Sequence, residues 1–311
     1  MAVSSPTQAL TPAGVARVET RRISVSGLDL RVLTAGSGEP LVLLHGMAGS
    51  ADEWLSVLPR FGERYRAVAA DAPGHGFSEK PLGHPYDLGY YTDAVVGVMD
   101  ALGVRRAPLI AVSGGGAVAL SIALAQPQRI SRLVLVDAAG LGREVSWSYR
   151  LATLPLMRYA FRCANRRSIE AFGRALCYAP SRLPEGWLDR RVAIWATPGA
   201  AEAFLATVRT GLSLRGQRVD FSPCLGELRQ PTLLIWGRQD PIIPVGHAIA
   251  AQRAIPNARL RIFEECGHMP VWEYPDDFVQ TVLEFLDEDG RRPGEWPAAC
   301  GQQARARGGD R

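Results

Sequence analysis

The sequence predicts an α/β fold in which a mostly parallel central sheet carries helices on both faces. Short apolar runs typical of buried strands lie at residues 41–45, 66–70, 107–112, 131–136 and 231–236, and longer stretches separate them. Three predicted strands run directly into loops that carry a serine, an aspartate and a histidine, in that order along the chain. Because the carboxyl ends of parallel strands meet at one edge of a sheet, we expect these three side chains to share a site.

The elements before and after this sheet follow from local signals. Residues 23–25 and 28–34, separated by Gly27, predict an opening hairpin. Residues 1–20 are expected to form a flexible segment and lack the apolar stretch of a signal peptide, and residues 289–311 are expected to be a disordered tail. Residues 21–139 and 220–288 then form the core. No run reaches the roughly 18 apolar residues of a membrane span, so a cytoplasmic location is expected.

Ser113 stands between a predicted strand and a predicted helix. It follows the strand at 107–112, and three glycines come before the apolar stretch at 117–125. A strand that turns at once into a helix needs small residues, because a Cβ atom there would collide with the backbone. The stretch matches the G-x-S-x-G nucleophile elbow, with Ala111 in place of the first glycine. Small-residue turns are common, so this motif alone leaves a purely structural role open.

A nucleophilic serine needs a base, and the base needs an acid that orients it. Among five histidines, His268 follows an alternating strand at 259–263 and a glycine. Asp240 follows the strand at 231–236 and a glycine turn, and a proline comes after it. Each feature alone is common in loops, but three such features in the order Ser, Asp, His indicate a catalytic set.

An oxyanion pocket is also predicted. The apolar strand at 41–44 runs into His45, Gly46 and Met47 at a glycine-spaced turn. Acyl transfer needs two fixed N–H donors, and the amides of Met47 and of Gly114, which follows the serine, are positioned to supply them. His45 is interpreted as a structural residue that fixes the turn.

These motifs together resemble those of α/β-hydrolase-fold serine hydrolases, carboxylesterases in particular, over residues 22 to 288. A further part of the resemblance is the loop Asp71-Ala72-Pro73-Gly74-His75-Gly76-Phe77-Ser78. The resemblance implies a helical lid inserted after strand six. It also implies that Ser113 is the nucleophile, His268 the general base and Asp240 the orienting acid. The amides of Met47 and Gly114 would form the oxyanion hole.

Asp137 is a rival for the acid, since it ends the strand at 131–136, where some members of the family carry it. Asp240 has the usual spacing to His268 and is preferred. The substrate-binding surface is expected to include residues that flank the catalytic groups and one from the lid: His45, Gly46, Val112, Met269, Trp272 and Arg191.

The alternation of predicted strands and helices is interrupted between residues 140 and 219. This stretch is helical in pattern and rich in aromatic side chains: Trp147, Tyr149, Tyr159, Phe161, Phe172, Tyr178, Trp187, Trp195 and Phe204. We expect it to form the lid and to present apolar surface to the substrate. Arg191 could reach a substrate carboxylate, but a solvated helix face is preferred for it.

Composition excludes several classes. The 311 residues are 47% hydrophobic and 21% charged, as in ordinary globular proteins, and a net charge of +4 is too small to indicate nucleic-acid binding. Five cysteines without paired spacing suggest no disulfide framework or metal cluster, and no cofactor is expected. The sequence leaves the oligomeric state open, a homo-oligomer included.

The favoured function is a serine hydrolase that cleaves carboxylic esters of small to medium apolar substrates through an acyl-enzyme on Ser113. The serine argues against dehalogenases and epoxide hydrolases of this fold, which use an aspartate nucleophile. A C–C bond hydrolase of ring-cleavage dienoates is the alternative, because it uses the same three side chains. Such enzymes usually show a Gly-Pro-rich oxyanion turn, an asparagine before the serine and a tryptophan after the histidine, where this chain has Met47-Ala48-Gly49, Val112 and Met269. The alternative of another class is a non-catalytic ligand-binding member of the fold.

Overall fold

The computed structural model describes residues 16–287 and contains an eight-stranded sheet in the order β1-β2-β4-β3-β5-β6-β9-β10. The predicted fold class is confirmed. A separate pair of two-residue strands, β7 and β8, lies outside the sheet. The strands are β1 Val18–Val25, β2 Leu28–Ala35, β3 Glu39–Leu44, β4 Tyr65–Ala70, β5 Ala107–Val112, β6 Ile130–Val136, β7 Leu212–Ser213, β8 Gly216–Gln217, β9 Thr232–Gly237 and β10 Ala258–Phe263.

The first two strands form the predicted antiparallel hairpin, and β2 also pairs antiparallel with β4. All later pairings in the large sheet are parallel, so β3, β5, β6, β9 and β10 end at one edge. Strand β1 begins at Val18, so the boundary expected at residue 20 is wrong by a few residues. Residues 1–15 and the expected tail at 289–311 lie outside the described part of the chain.

The middle of the sheet is covered on both faces. In β3 the consecutive residues Leu41, Val42, Leu43 and Leu44 are all buried, although alternate side chains point to opposite faces. Eleven α-helices lie within residues 16–287: α1 Leu58–Gly62, α2 Leu88–Ala101, α3 Gly114–Ala125, α4 Trp147–Leu151, α5 Met157–Arg162, α6 Arg166–Leu176, α7 Trp187–Trp195, α8 Ala200–Gly211, α9 Gly246–Ala254, α10 Pro270–Glu273 and α11 Pro275–Asp287.

Local sequence explains several helix starts. The Asp87 carboxylate accepts a hydrogen bond from the Tyr90 amide and caps α2. Asn165 and Ser168 form a reciprocal capping box at the start of α6. Helix α11 begins at Pro275, and proline suits this position because an N–H group there would have no intrahelical acceptor. Two aspartates in its first turn interact favourably with the helix dipole.

Residues 140–219, called the helical segment below, contain α4 to α8 and the β7–β8 pair, between β6 and β9. The end of α6 is tied to the loop that follows β10, because the amide of His268 donates to the Leu176 carbonyl at 2.7 Å. The buried carboxylate of Glu273 strengthens this connection. It accepts hydrogen bonds from the amides of Gly267, Tyr178 and Ala179 at 2.6, 3.1 and 3.0 Å. Segment and core therefore share one hydrogen-bond network at this point.

None of the helices within residues 16–287 combines the length and the apolar character needed to cross a membrane.

Candidate active site

Ser113 occupies a strained turn between β5 and α3. Its φ of 51° and ψ of −121° lie outside the regions that non-glycine residues favour. The glycines after Ser113 are required because neighbouring atoms approach their Cα atoms closely. A Cβ atom on Gly115 would lie 2.6 Å from the His45 carbonyl oxygen, and one on Gly116 would lie 2.4 Å from Cβ of Ala138. The turn therefore holds the serine side chain at the sheet edge, beside the N-terminus of α3.

His268 and Asp240 are hydrogen-bonded to each other. The distance from His268 Nδ1 to Asp240 Oδ2 is 2.8 Å, and the two side chains are only 3% and 0% exposed. The other carboxylate oxygen of Asp240 accepts from the amides of Ile242 and Ile243 at 2.7 and 3.2 Å. Because Nδ1–H donates to the carboxylate, Nε2 of His268 is left as the proton acceptor.

The two loops that carry this pair are packed tightly at glycines. A Cβ atom on Gly237 would lie 1.8 Å from the carbonyl oxygen of Gly267. Any side chain at Gly237 would push the histidine loop away from the aspartate loop. Gly237 therefore allows the close approach of the two loops that carry Asp240 and His268.

The amides predicted to bind an oxyanion converge beside Ser113. A Cβ atom on Gly114 would lie 3.0 Å from the amide nitrogen of Met47, and one on Gly46 would lie 2.9 Å from Cβ of Ser113. Gly114 is the first residue of α3, so its N–H has no intrahelical acceptor and forms part of the positive end of the helix dipole. These two amides can receive negative charge that develops next to the serine.

His45 fixes the turn that carries the first of these amides. Its Nδ1 lies 2.8 Å from the Gly46 carbonyl oxygen, and its Nε2 accepts from the Ala72 amide at 3.0 Å. Both ring nitrogens are thus engaged by backbone, and burial lowers the pKa of His45. The ring is held neutral and away from the serine.

A cavity of about 350 Å³, opening included, lies in front of Ser113, and we call it the catalytic cavity. Core and helical segment both contribute to its wall. The lining residues are Gly46, Met47, Glu53, Val112, Ser113, Tyr149, Phe172, Leu176, Trp187, Arg191, His268, Met269 and Trp272.

Arg191 brings a guanidinium group into this wall. It is 8% exposed, so the preference for a solvated helix face is wrong. Burial lowers its pKa, and the nearby negative charge of Glu53 opposes this. Within residues 16–287 the guanidinium makes neither a hydrogen bond nor an ion pair. A buried cation without partners is costly, which makes this group a candidate binder of an anionic ligand.

Glu53 is a functional candidate that sequence reasoning missed. It lies in the 3₁₀ turn Ala51–Trp54 and accepts a hydrogen bond from the Gly46 amide at 3.2 Å. Burial raises the pKa of its carboxyl to about 7, and the positive charge of Arg191 works in the opposite direction. The cavity therefore contains an acid that changes charge near neutral pH.

A second and larger cavity of about 1070 Å³, opening included, lies on the other side of Met47, and we call it the apolar cavity. Its wall includes Leu30, Ala94 and Val98, together with residues of α3 and α8. It shares only Gly46 and Met47 with the wall of the catalytic cavity. The Met47 side chain reaches α8, since a Cβ atom on Gly211 would lie 3.2 Å from its terminal methyl carbon.

The polar side chains that line the apolar cavity have partners within the protein. Tyr91 and Thr207 hydrogen-bond each other at 2.5 Å, and the Thr210 hydroxyl donates to the Tyr86 carbonyl. Gln217 bonds the backbone of Gly140 and Glu144. A ligand in this cavity would meet mainly apolar surface.

The sequence-predicted site residues fall into three places. Those in the wall of the catalytic cavity are Gly46, Met47, Val112, Ser113, Arg191, His268, Met269 and Trp272. Asp240 lies behind His268, while His45 and Gly114 line the apolar cavity. Of the nine aromatic residues noted in the helical segment, Tyr149, Phe172 and Trp187 reach the catalytic cavity, whereas Trp147, Tyr159 and Tyr178 are largely exposed.

Known proteins share this architecture. Residues 39–275 match the family model described as the alpha/beta hydrolase fold. The chain is 31% identical over 258 residues to 2-hydroxy-6-oxo-6-phenylhexa-2,4-dienoate hydrolase of Comamonas testosteroni, covering 81% of this chain and 89% of that protein.

Two solved structures are similar as well. A meta-cleavage product hydrolase from Pseudomonas fluorescens superimposes with a TM-score of 0.75 at 26% identity, covering 86% of this chain and 97% of that one. A bacterial membrane phospholipase A superimposes with a TM-score of 0.74 at 28% identity, covering 87% of this chain and 86% of that one. With most of its length matched by the family model, the chain belongs to the alpha/beta hydrolase fold family and is a hydrolase of that fold.

Proposed function

We propose that this protein hydrolyses a carbon–carbon bond in dienoate acids of the kind produced by aromatic ring cleavage. Ser113 is the nucleophile, His268 the general base and Asp240 the orienting acid, with the amides of Met47 and Gly114 as oxyanion hole. The helical segment acts as the lid. The sequence analysis gave this reaction as the alternative to ester hydrolysis, and the surroundings of Arg191 favour it.

The observation that carries the proposal is the buried, unpartnered guanidinium of Arg191 in the same cavity as Ser113. An uncharged ester gives that cation nothing to bind, so the cost of its burial would be offset mainly by Glu53, whose carboxyl is itself partly neutral near pH 7. A substrate carboxylate would compensate it with charge-assisted hydrogen bonds. The relative from Comamonas testosteroni is named for a substrate with a carboxylate at one end and a phenyl group at the other.

The two cavities fit such a two-ended substrate. The carboxylate end lies toward Arg191 in the catalytic cavity, and the apolar end crosses beside Met47 into the apolar cavity. Met47 suits this place because its unbranched thioether side chain adapts to differently shaped apolar groups. The scissile bond then lies next to the serine.

The chemistry follows from these positions. Ser113 Oγ attacks the ketone carbon while Nε2 of His268 takes its proton, and the resulting oxyanion accepts from the two amides. Before the neighbouring C–C bond breaks, the enol proton of the dienoate moves to the carbon next to the ketone, which turns the dienol into a conjugated enone. The electron pair of the broken bond can then enter this enone as a dienolate, which takes the proton from His268. The acyl group remains on Ser113 as an ester. Water, deprotonated by His268, hydrolyses that ester and releases a carboxylic acid.

Hydrolysis of neutral carboxylic esters is the second candidate. It is supported by the mainly apolar wall of the larger cavity and by Glu53, whose charge can offset that of Arg191. The similarity to a membrane phospholipase A points the same way. Val112 and Met269 also stand where dienoate hydrolases usually carry asparagine and tryptophan.

The test compares a ring-cleavage dienoate with a neutral p-nitrophenyl ester in the wild type and in Arg191→Gln. Loss of the guanidinium should lower kcat/KM for the dienoate by about 100-fold, the size expected for removing a charged partner from a buried anion. The ester should change by less than about threefold, because it makes no bond to the guanidinium.

Arg190→Gln is the matched control, since Arg190 lies on the same helix but donates to the Glu185 carbonyl and does not line the cavity. Rapid ester turnover without any dienoate turnover would favour the second candidate. Binding of ligands without turnover of either substrate would indicate a non-catalytic member of the fold.

A further inference from the structure

A second carboxyl group lies behind the His268–Asp240 pair. Asp137 follows β6 directly, with a φ of 42°, and its side chain is fully buried. Side-chain nitrogen or oxygen atoms of Asp137, Asp240 and His268 all lie within 4.8 Å of one another. Asp137 therefore lies close to the hydrogen-bonded pair that His268 and Asp240 form, and the three side chains make one compact cluster.

The two oxygens of Asp137 have different surroundings. Oδ1 accepts from the Gly237 amide at 3.0 Å. Oδ2 is buried, and within residues 16–287 it receives no hydrogen bond from any donor. An ionised carboxylate in this place would leave one charged oxygen without a donor, whereas a protonated oxygen could itself donate.

Two carboxyl groups, a thiol and an imidazole surround Asp137. Asp240 faces it from the loop after β9, Glu273 from α10, and Cys266 and His268 from the loop after β10. Burial raises the pKa of Asp137, and the negative charge of Asp240 raises it further. The proposed base role requires that Nε2 of His268 carry no proton before it accepts one from the serine. Two carboxyl groups this close and out of water cannot both ionise.

We propose that Asp137 is held as a neutral carboxylic acid whose O–H donates to the Asp240 carboxylate, making it a positioning residue and a reserve acid. This rests on the proposed roles of His268 and Asp240. In the wild type the bond fixes the Asp240 carboxylate against His268. When Asp240 loses its charge, Asp137 gives up its proton and supplies the negative charge beside the histidine.

Four variants test this: Asp137→Asn, Asp137→Leu, Asp240→Asn and the double variant with both asparagines. An asparagine at 137 keeps both bonds, with its oxygen accepting from Gly237 and its NH₂ donating to Asp240, so kcat should fall by only about threefold. Leucine makes neither bond and should lower kcat by tenfold or more, on the order seen when an outer hydrogen-bond partner is removed.

The decisive measurement is the double variant. Asp240→Asn should retain activity that depends on Asp137, so the double variant should fall at least about tenfold below the product of the two single effects. Equal activities of Asp240→Asn and the double variant would overturn the reserve role. A loss in Asp137→Asn as large as that in Asp240→Asn would overturn the neutral-acid role.

A spectroscopic readout separates these roles from a merely structural one. The measurement uses a Glu53→Gln background, because the Glu53 carboxyl, with a pKa of about 7, is still partly protonated at pH 8. In that background the infrared band of a protonated carboxylic acid should persist at pH 8 and vanish when Asp137→Asn is added, and its persistence would contradict the assignment. Thermal unfolding shows which variants fold. Failure of the proposed function is recognised independently, because the wild type would then turn over the p-nitrophenyl ester but no dienoate. The Asp137 and Asp240 variants can still be compared on that ester, since both reactions use the same three side chains.

Discussion

The catalytic cavity and the apolar cavity meet at Gly46 and Met47, but they differ in whether their polar side chains have hydrogen-bond partners within the protein. In the apolar cavity, the polar side chains of Tyr91, Thr207 and Gln217 are satisfied within the protein. In the catalytic cavity, Arg191 is buried without a partner, and Glu53 has a raised pKa. Satisfied groups make a surface that binds apolar matter, whereas unsatisfied groups make one that requires a polar ligand.

Under the proposed function, this difference would let one site select a substrate with two unlike ends. Affinity for the apolar end comes from buried area, about 25 cal/mol per Å², and varies gradually with size. Selection at the polar end depends on a single cation and is expected to be sharp. Substitutions in one cavity or the other should therefore affect one end of the substrate, whereas loss of the serine should affect the whole reaction.

The largest effect is expected for Ser113→Ala, which removes the proposed nucleophile. Turnover of a dienoate and of an ester should each fall by about 10⁴-fold or more, because members of such a catalytic unit act together. Steady-state kinetics and labelling by an organophosphonate, followed by mass spectrometry, measure this. Ser121→Ala on the same helix is the control. Near-normal turnover in Ser113→Ala would contradict the acyl-enzyme mechanism.

A smaller effect is expected for Ala94→Leu, which fills part of the apolar cavity. KM should rise about tenfold for substrates with a phenyl-sized apolar end and change little for an acetyl ester. Because the new side chain occupies empty apolar space, the free energy of unfolding should rise by about 1 kcal/mol. Ala94→Ser keeps the space open and serves as the control. Equal KM changes for both substrates would show that the apolar end does not enter this cavity.

The smallest effect concerns pH at the polar end. The pKa of Glu53 is raised to about 7, so the carboxyl is neutral below that pH and leaves Arg191 free for the substrate. Above it, the carboxylate competes for the guanidinium, and KM for a dienoate should rise about three- to fivefold over two pH units. Glu53→Gln should remove this rise. A pH-dependent KM that persists in Glu53→Gln would assign the titration to another group.

The core of the site could be predicted from the sequence because it depends on strand ends. Ser113, Asp240 and His268 each follow an apolar strand, and parallel pairing alone brings their loops to one edge. The close backbone contacts at Gly115 and Gly237 could also be predicted from the local sequence, since glycine is the residue that leaves room for another backbone there.

The helical segment was harder to predict, because a helix can turn any face toward the site. A signal was nevertheless present in α7, where Trp187, Arg191 and Ile194 are the buried residues, spaced four and three apart along one helical face. An arginine in the middle of an apolar stripe indicates a buried cation. Glu53 gave no such signal, because a single turn of 3₁₀ helix has no periodicity to read.

The Glu273 carboxylate has a mechanical consequence for how the site opens. By holding the amides of Gly267, Tyr178 and Ala179 at once, it fastens the end of α6 to the histidine loop. Helices α4 and α5, by contrast, bury no residue fully. The start of α4 is nevertheless fastened to the core, because the Ser146 amide donates to the Ile242 carbonyl at 2.8 Å. If the helical segment acts as the proposed lid, we expect it to pivot about these two points with α5 moving furthest, so that substrate enters beside α5 while His268 keeps its place.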